Sequence, residues 1–229
     1  MLTLNKKDVN SKNTAVIKAD GKKVSYFNLN KTIEQIASLL EVETTCLICS
    51  HMSFDSLCLY LACLRKKCIP VLIDAGTKFI KVKKIIDKFN PNYFFYQTGK
   101  SLDSEIQKLN FKKKNVYGLK NFFLNEKKIN LKLDNNIFLL LSTSGSTGSS
   151  KFVKISKENI VSNTNAIINY LNMKSNDKTI TNLPMNYSYG LSLVNSHLYV
   201  GGTIILSSKS IIDRQTISLV EQNKISNFN

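Results

Sequence analysis

One run of small polar residues has the composition of an anion-binding loop. Leu139–Lys151 reads LLLSTSGSTGSSK, and every position from Ser142 to Ser150 is Ser, Thr or Gly. Such a run, directly after a buried strand, offers free backbone N–H groups, hydroxyl donors and glycines that permit unusual φ angles. Wrapping a polyphosphate requires these groups, and Lys151 can neutralise part of its charge. The sequence therefore predicts a phosphate-binding loop.

Two other glycine-rich loops do not fit this spacing. A Walker A loop needs G-x-x-x-x-G-K-[ST], but Ser150 stands five residues after Gly145, and Lys151 is followed by Phe152. The dinucleotide pattern G-x-G-x-x-G fails because Thr147 occupies its second Gly position. A flexible Ser/Gly linker is the remaining alternative. It is disfavoured because the run lies between two apolar segments, LLL and KFVKI.

The loop resembles the phosphate-binding signature of the adenylate-forming (ANL) superfamily, which includes acyl-CoA synthetases, peptide-synthetase adenylation domains and luciferases. The family form is approximately T-S-G-S-T-G-x-P-K-G. Thr143–Gly148 matches it and Lys151 is in place, whereas Ser150 replaces the usual Pro and Phe152 replaces the usual Gly. The nucleotide-binding residues that this resemblance implies are Thr143, Ser144, Gly145, Ser146, Thr147, Gly148 and Lys151.

Three further segments are similar to the family, in the family's order. Asp20–Leu29 is similar to its opening hairpin and T-Y-x-E-L element, with Asn28 in place of the acid. Leu57–Asp74 is similar to a helix and strand, with Lys67 where Gly is common. Leu183–Leu191 (LPMNYSYGL) is similar to the L-P-x-x-H-x-x-G-L segment that borders the acyl pocket. Without the family it would be an ordinary strand-to-helix turn. The substrate-binding residues implied there are Tyr187, Tyr189 and Gly190.

The resemblance implies an enzyme that joins a carboxylate to ATP, giving an acyl-adenylate and pyrophosphate. The acyl group then passes to CoA, a carrier-protein thiol or another acceptor, as in acid–thiol ligases (EC 6.2.1 type). ATP and Mg²⁺ are the implied cofactors. Later family elements, including the Y-x-T-G-D segment and the C-terminal Lys, do not occur in this sequence.

We therefore expect residues 1–229 to be an incomplete N-terminal AMP-binding domain without the C-terminal lid domain. Its first βαβ subdomain is expected over residues 1–135, and the start of a second, with the phosphate loop, over 136–229. Alone, the chain is expected to bind nucleotide weakly and to catalyse negligible adenylation, and no catalytic residue or metal ligand is assigned within it. A catalytically dead nucleotide-binding remnant, or a partner-dependent half of an enzyme, is the alternative.

The strong positive charge leaves a third function open, binding of a polyanion. The chain has 32 basic and 16 acidic residues, a net charge of +16. All but two of the basic residues, Arg65 and Arg214, are Lys. The composition argues against nucleic acid as a partner, because base recognition and bidentate phosphate clamps favour Arg. The lysine clusters Lys81–Lys84 and Lys112–Lys114 are therefore interpreted as solvated faces.

Cysteine and histidine spacing does not predict a metal or nucleophilic site. One C-x-x-C pair lies in the apolar stretch TTCLICS, with no second pair and no His in ligand spacing. Buried free thiols are the better interpretation. The cysteines are Cys46, Cys49, Cys58, Cys63 and Cys68. His51 and His197 match no base position and are expected to be structural.

Alternation of short apolar runs with helical patterns predicts an α/β fold of parallel βαβ-type sheets with flanking helices. The first strands are predicted at Thr45–Ser50, Cys68–Asp74 and Asn92–Gln97, and the helices between them at Phe54–Lys66 and Lys78–Phe89. The less regular pattern over residues 98–135 predicts a helix, a short strand and a loop. The later strands are predicted at Asn136–Leu141, Lys151–Ile155 as its hairpin partner, Thr179–Leu183, Thr203–Leu206 and the start of Lys224–Asn229. The later helices are predicted at Lys157–Leu171, Leu191–Tyr199 and Asp213–Gln222. Ser156 is the expected N-cap of the first of these, whose asparagines, Asn159 among them, lower its helix propensity.

Composition limits the class of protein. With 229 residues and 43% hydrophobic content, the chain can bury a core and is not wholly disordered. No apolar run approaches the ~20 residues that span a bilayer. The start, MLTLNKKDVN, lacks the apolar segment of a secretory signal, so a cytoplasmic location is expected.

Overall fold

The computed structural model describes residues 11–97, 102–127, 134, 136–143, 151–207, 213–223 and 225. Helices and strands alternate over most of this length. The elements of the first half are β1 Thr14–Ile17, β2 Lys23–Ser25, α1 Tyr26–Ala37, β3 Thr45–Ser50, α2 Phe54–Lys66, β4 Ile69–Ile73, α3 Phe79–Phe89, β5 Tyr93–Gln97, α4 Asp103–Gln107, β6 Phe111–Val116 and β7 Leu119–Asn125. Those of the second half are β8 Leu139–Ser142, β9 Phe152–Ile155, α5 Lys157–Leu171, β10 Lys178–Thr181, α6 Ser188–Val200, β11 Thr203–Leu206 and α7 Arg214–Asn223.

A seven-stranded sheet has the order β6-β7-β5-β3-β4-β8-β9. Its centre, β5-β3-β4-β8, is parallel, and each βαβ crossover in β3-α2-β4-α3-β5 joins strands of this centre. Antiparallel strands flank it, β7 beside β5 and β9 beside β8. The predicted α/β fold with parallel βαβ units is therefore confirmed, as is the antiparallel hairpin of β8 and β9.

The second sheet has four strands in the order β10-β11-β1-β2. β11 pairs in parallel with both β10 and β1, and β2 closes a hairpin with β1. Val16 is opposite Ile204, so strands from the two ends of the chain lie side by side. Both sheets thus contain strands from either side of residue 135, and a division there does not separate one sheet from the other.

Helices fill the space between the sheets and cover their outer faces. The largest core cluster combines α1, α2 and α6 with the facing sides of both sheets. A second cluster packs α3 and α4 on the far face of the seven-stranded sheet, and a third packs α7 on the far face of the four-stranded sheet. The central helix α2 is buried at every position from Ser56 to Leu64, because it is covered on all sides. None of the helices in the described ranges is long and apolar enough to cross a membrane.

The interval after β5 contains a strand that sequence patterning did not resolve. A helix and one short strand were expected there, but α4 is followed by a two-stranded hairpin, β6 and β7. Of the two strands, β6 lacks a strand-like pattern in the sequence, because four consecutive residues, Lys112–Asn115, are exposed and hide the two-residue alternation. The hairpin turns at Tyr117 (φ 32°) and Gly118 (φ 88°). Lysines on an edge strand oppose pairing with another sheet edge, and they are solvent-exposed as predicted.

The start of α5 corrects the expected role of Asn159. Ser156 is the N-cap as predicted, and its hydroxyl accepts a hydrogen bond from the Asn159 backbone N–H at 3.2 Å. The Asn159 side chain in turn accepts a bond from the Ser156 backbone N–H at 3.0 Å. This reciprocal pair is a capping box, so at this position Asn stabilises the helix start. The predicted strand start at Lys224–Asn229 lies outside the described residues apart from Ile225.

Candidate functional site

The predicted phosphate loop connects two paired strands at one edge of the seven-stranded sheet. Before it, β8 is buried at Leu139–Leu141 and pairs in parallel with β4. After it, β9 returns antiparallel to β8, with Ser142 opposite Phe152. The apolar run LLL forms a buried strand because β4 pairs with it on one side and β9 on the other. The loop follows the carboxyl end of a parallel strand, the edge at which ligands bind in α/β sheets.

The two ends of the loop are hydrogen-bonded to each other. The Thr143 backbone N–H donates to the Lys151 carbonyl oxygen at 3.0 Å, and the Thr143 hydroxyl donates to the same oxygen at 3.3 Å. Both side chains are exposed. This extra rung of the ladder holds both ends of the intervening segment at one point of the sheet edge. It argues against the linker interpretation, because a linker's ends need not meet.

The structure places two of the seven predicted nucleotide-binding residues, Thr143 and Lys151. The other five fall outside the described residues, and their role as ligands stays a prediction: Ser144, Gly145, Ser146, Thr147 and Gly148. The Thr143 hydroxyl is already directed at the Lys151 carbonyl oxygen. Its contribution to the loop in this structure is therefore to close the loop.

The second predicted site segment connects β10 to α6. Tyr187 is the N-cap residue of α6, and its backbone N–H donates to the Pro184 carbonyl oxygen at 3.0 Å. The side chains of Tyr187 and Tyr189 are 61% and 53% exposed, so neither belongs to the core. Two exposed aromatic rings in one helical turn form a surface on which a ligand can pack. Whether they line an acyl pocket stays a prediction.

Gly190 has a packing role that the structure makes explicit. A Cβ at this position would lie 2.8 Å from the Pro184 carbonyl oxygen and 3.0 Å from the Leu183 Cβ. The first turn of α6 therefore lies against the preceding segment at a distance that only glycine permits. This close approach is what sets the position of Tyr187 and Tyr189 relative to β10.

The hairpin and the Tyr segment meet in one core cluster. Leu139 and Leu141 of β8 belong to the same cluster as Met185 and Leu191, which flank the Tyr residues. The strand before the loop and the residues that flank the tyrosines are thus anchored in the same core, although they belong to different sheets.

Asn186 is a polar group in this segment that sequence reasoning did not single out. Its Oδ1 atom is buried and has no hydrogen-bond partner within the described structure. Leaving a buried amide oxygen unpaired costs about 1–3 kcal/mol, so such an atom calls for an explanation. The L-P-x-x-H spacing leaves this position unspecified, which is why no sequence signal identified it.

The cysteines are buried, as predicted, and their environment makes them poor nucleophiles. All five are free and buried. Burial, together with the negative charge of nearby Asp74, raises the pKa of the Cys49 thiol to about 12. Burial likewise raises the pKa of Cys46, Cys63 and Cys68, so the thiolate that nucleophilic attack needs is scarce. Across the described ranges, no group of three or more His, Cys, Asp or Glu side chains could hold a metal ion.

The two histidines occupy different environments. His51 is exposed after β3. His197 is 3% exposed in α6, with its Nδ1 atom 2.9 Å from the Leu193 carbonyl oxygen. Burial lowers the pKa of His197, which favours the neutral ring, while the Leu193 bond and Asp177 act in the opposite direction. Its contacts are those of a structural histidine.

Comparison with protein families identifies the chain. The model of the AMP-binding enzyme family matches residues 5–229, nearly the whole sequence. The chain belongs to the AMP-binding enzyme family. The ANL resemblance of the loop and of the later segments is thereby confirmed as a family relationship. A search of curated proteins finds no match.

Solved structures of synthetases share the fold. MatB from Rhodopseudomonas palustris superposes with a TM-score of 0.70 at 19% identity, over 93% of this chain and 45% of that one. The o-succinylbenzoate CoA synthetase MenE from Bacillus subtilis, in complex with the acyl-adenylate OSB-AMP, gives 0.73 at 14% identity, over 95% and 58%. The N-terminal domain of FACL13 from Mycobacterium tuberculosis gives 0.75 at 16% identity, over 95% and 58%. The chain spans about half the length of these structures, and at such identities they show the fold alone.

Proposed function

We propose that this chain is the nucleotide-binding part of an ATP-dependent ligase that activates a carboxylate as its acyl-adenylate. The acyl group then passes to CoA or another thiol. The loop between Thr143 and Lys151 would bind the β- and γ-phosphates through its hydroxyls and backbone N–H groups. Tyr187 and Tyr189 would line the acyl side of the site. Gly190 would lie beside them, where it allows the first turn of α6 to pack closely against the preceding segment. Membership of the family supports an enzymatic function, but we expect the chain alone to be inactive.

The hairpin closure at the loop is the observation that carries the proposal. A Ser/Thr/Gly segment whose two ends meet at 3.0 Å, at the carboxyl edge of a parallel sheet, can present several donors to one anion. Family membership supports the same assignment, because this segment matches the family signature. MatB has been solved with ATP bound and MenE with AMP, which supports ATP as the nucleotide here.

Mg²⁺ is the usual companion of ATP, and hard oxygen ligands are what it prefers. In the loop, the ligands that could face it are neutral Ser and Thr hydroxyls. Within the described ranges no carboxylate cluster completes such a site. The described residues of this chain therefore do not form a complete magnesium site, and no step of the proposed reaction depends on one here.

The chemistry assigned to this chain is electrostatic. Adenylyl transfer depends on opposite charge positioned around the phosphates, and the loop with Lys151 supplies part of that charge. The family's ribose-binding Asp, metal-binding Glu and late Lys belong to elements that this sequence does not contain. Weak nucleotide binding and negligible adenylation by the chain alone follow from this difference.

ATP–pyrophosphate exchange with a panel of carboxylates tests the proposal. We expect negligible exchange by the 229-residue chain, and measurable exchange when a polypeptide carrying the later family elements is supplied with it. The Lys151→Met variant should abolish the restored exchange, whereas Lys157→Met, an exposed lysine on α5, should not. Robust exchange by the chain alone would contradict its assignment as a part. The ligase function would be contradicted if the chain, together with the polypeptide that carries the later elements, neither exchanged pyrophosphate nor bound ATP saturably.

A nucleotide-binding remnant without catalysis remains the second candidate. The two candidates differ in the exchange assay, since a remnant binds ATP but exchanges no pyrophosphate when supplied with the later elements.

A further inference from the structure

The outer side of α3 concentrates positive charge. Between Phe79 and Phe89 this helix carries four lysines and one acid, Asp87, which gives it a net charge of +3. Every other described helix has a net charge between −2 and +1. The lysine-rich composition of the chain therefore does not account for this helix, because the same composition gives the other helices little positive charge. We call the four residues the α3 lysines: Lys81, Lys83, Lys84 and Lys88.

The charge of the α3 lysines is not compensated within the described parts of the chain. All four side chains are exposed, whereas the buried side of the helix packs against the seven-stranded sheet. Lys81, Lys84 and Lys88 recur at intervals of three and four residues, which places them in one stripe, and like charges at this spacing destabilise a helix. Among the described residues, none of the α3 lysines has a carboxylate oxygen within 4.0 Å. An external anionic surface would relieve this repulsion.

An exposed apolar side chain lies among these charges, and a further lysine extends them. Ile80 is 63% exposed, and the residues three and four positions after it are both lysines. Beyond the end of the helix, Phe152 of β9 packs edge to face on Phe89, with ring centroids 4.7 Å apart. Side chains alternate along a strand, so the exposed Lys154 lies on the same side of β9 as Phe152. The positive surface therefore continues from α3 onto β9.

The residue types on this surface match a lipid bilayer better than a nucleic acid. Anionic lipids attract Lys and Arg alike, because each acts as a charge near the membrane surface. Nucleic-acid binding relies on Arg forks and on aromatic rings that stack on bases, and the exposed residues of α3 include neither. An isoleucine surrounded by lysines also suits a bilayer, where apolar side chains enter the boundary between headgroups and acyl chains.

We propose that the α3 lysines, Ile80 and Lys154 form a docking surface for a membrane that contains anionic lipids. The helix lies along the membrane plane, with its ammonium groups at the lipid phosphates and Ile80 at the edge of the acyl region. The association is peripheral and reversible. This inference goes beyond the proposed ligase function and does not depend on it, because none of these residues belongs to the phosphate loop or to the Tyr segment.

Flotation of the full 229-residue chain with lipid vesicles tests the role of charge. One set of vesicles contains equal parts of phosphatidylglycerol and phosphatidylcholine, and a second set contains phosphatidylcholine alone. The test variant is Lys81→Gln/Lys84→Gln/Lys88→Gln. The matched control removes the same charge from three exposed lysines elsewhere, in Lys112→Gln/Lys114→Gln/Lys157→Gln. Binding is measured at about 50 mM salt, where screening is weak, and thermal unfolding shows that each variant is folded.

Fluorescence tests the role of Ile80 independently of the charge variants. The chain contains no Trp, so Ile80→Trp adds a single indole to the proposed surface, and indole rings partition to membrane interfaces. Tyr170→Trp is the control, because Tyr170 is 88% exposed on a different helix, α5. We expect the emission of Ile80→Trp to shift to shorter wavelength with the anionic vesicles, and that of Tyr170→Trp to stay unchanged.

The unsubstituted chain should float with the anionic vesicles and not with the neutral ones. Each lysine near the membrane surface contributes about fivefold to binding, so the α3 triple variant should bind about a hundredfold more weakly. The control triple variant should lose much less. Equal losses in the two triple variants would overturn the inference, because net charge alone would then govern binding.

Three other results would also overturn the docking surface. They are the absence of binding to the anionic vesicles, equal binding to both kinds of vesicle, and an unchanged emission of Ile80→Trp. Single-stranded RNA is titrated in parallel. Tight RNA binding that the α3 triple variant loses, without vesicle binding, would assign the surface to nucleic acid in place of a membrane.

Discussion

Lys67 occupies a backbone conformation that suits glycine. It ends α2 with φ 60° and ψ 34°, in the left-handed region, where its N–H donates to the Cys63 carbonyl oxygen. This position commonly follows a helix and is usually Gly, because a side chain there is strained. The family resemblance marked Gly as common at this position, and the structure supplies the physical reason. The strain is local and does not involve the site.

Replacing Lys67 with Gly should therefore stabilise the chain. We expect Lys67→Gly to raise the free energy of unfolding by about 0.5–1 kcal/mol, as relief of the strain exceeds the added entropy of the unfolded chain. Urea denaturation followed by circular dichroism measures the change. Lys66→Gly is the control, since it puts Gly inside the helix and should lower stability by up to about 1 kcal/mol. Equal destabilisation by both changes would contradict the left-handed cap.

His197 should make stability depend on pH in a defined window. Its pKa is lowered in the fold by burial, so the unfolded chain binds the proton more readily. The free energy of unfolding should consequently fall as the pH falls below the ordinary histidine value of 6.5, by at most about 1.4 kcal/mol per pH unit. Urea denaturation between pH 7.5 and about pH 5, above the usual carboxylate range, measures this slope.

Two substitutions isolate the contribution of His197. His197→Gln should flatten the slope between pH 6.5 and 5, at some cost in stability at pH 7.5, because the ring's packing is lost. His51→Gln changes an exposed ring and should leave the slope as it was. A slope that survives in His197→Gln would show that another group carries the dependence.

At the scale of single elements, the sequence pattern correctly predicted the strands and helices whose apolar residues are buried in a regular pattern. The strands β3, β4 and β5 are continuous apolar runs because helices cover both faces, and α2 and α3 fell within one residue of their predicted bounds. It failed where exposure hides the period. In β6 the Lys-rich stretch concealed a strand, because a two-residue alternation cannot be seen when consecutive side chains all face water.

The capping box of α5 gives an element-scale prediction. Ser156→Ala removes the hydroxyl that accepts the Asn159 N–H, and we expect a loss of about 1 kcal/mol in the free energy of unfolding. Asn159→Ala should cost less, because the Ser156 half of the box survives. Ser162→Ala, an exposed serine in the middle of the same helix, should be neutral or slightly stabilising. Equal effects of Ser156→Ala and Ser162→Ala in thermal or urea unfolding would show that the cap does not matter.

Sequence patterning identified the site segments but could not predict their arrangement. The Ser/Thr/Gly run and the LPMNYSYGL segment stand some 40 residues apart, and neither pattern says that they share a core. Their meeting depends on non-local pairing, because β11 adds to β1 near the start of the chain and β8 adds to β4. The close approach behind Gly190 and the unpaired Asn186 oxygen are likewise consequences of packing, which residue types alone do not reveal.

At the scale of the whole molecule, the described residues that flank the two predicted site segments lie in one shared core. The Tyr segment belongs to the connection after β10, and the loop to the connection after β8, in different sheets. One cluster of apolar side chains joins both sheets, so β8 and the first turn of α6 are anchored in the same core. The chain that carries these segments spans about half the length of its solved relatives.

The central claim is that hydroxyls and backbone N–H groups between Thr143 and Lys151 bind the triphosphate of ATP. Calorimetric titration with ATP of the chain, of the double variant Ser146→Ala/Thr147→Ala and of the control Ser162→Ala tests it most directly. The account predicts weak, saturable binding that the control retains. The double variant should bind at least about a hundredfold more weakly, because two hydrogen bonds to a charged group contribute about 3 kcal/mol or more. Equal affinity of all three proteins, or no saturable binding by any, would contradict it.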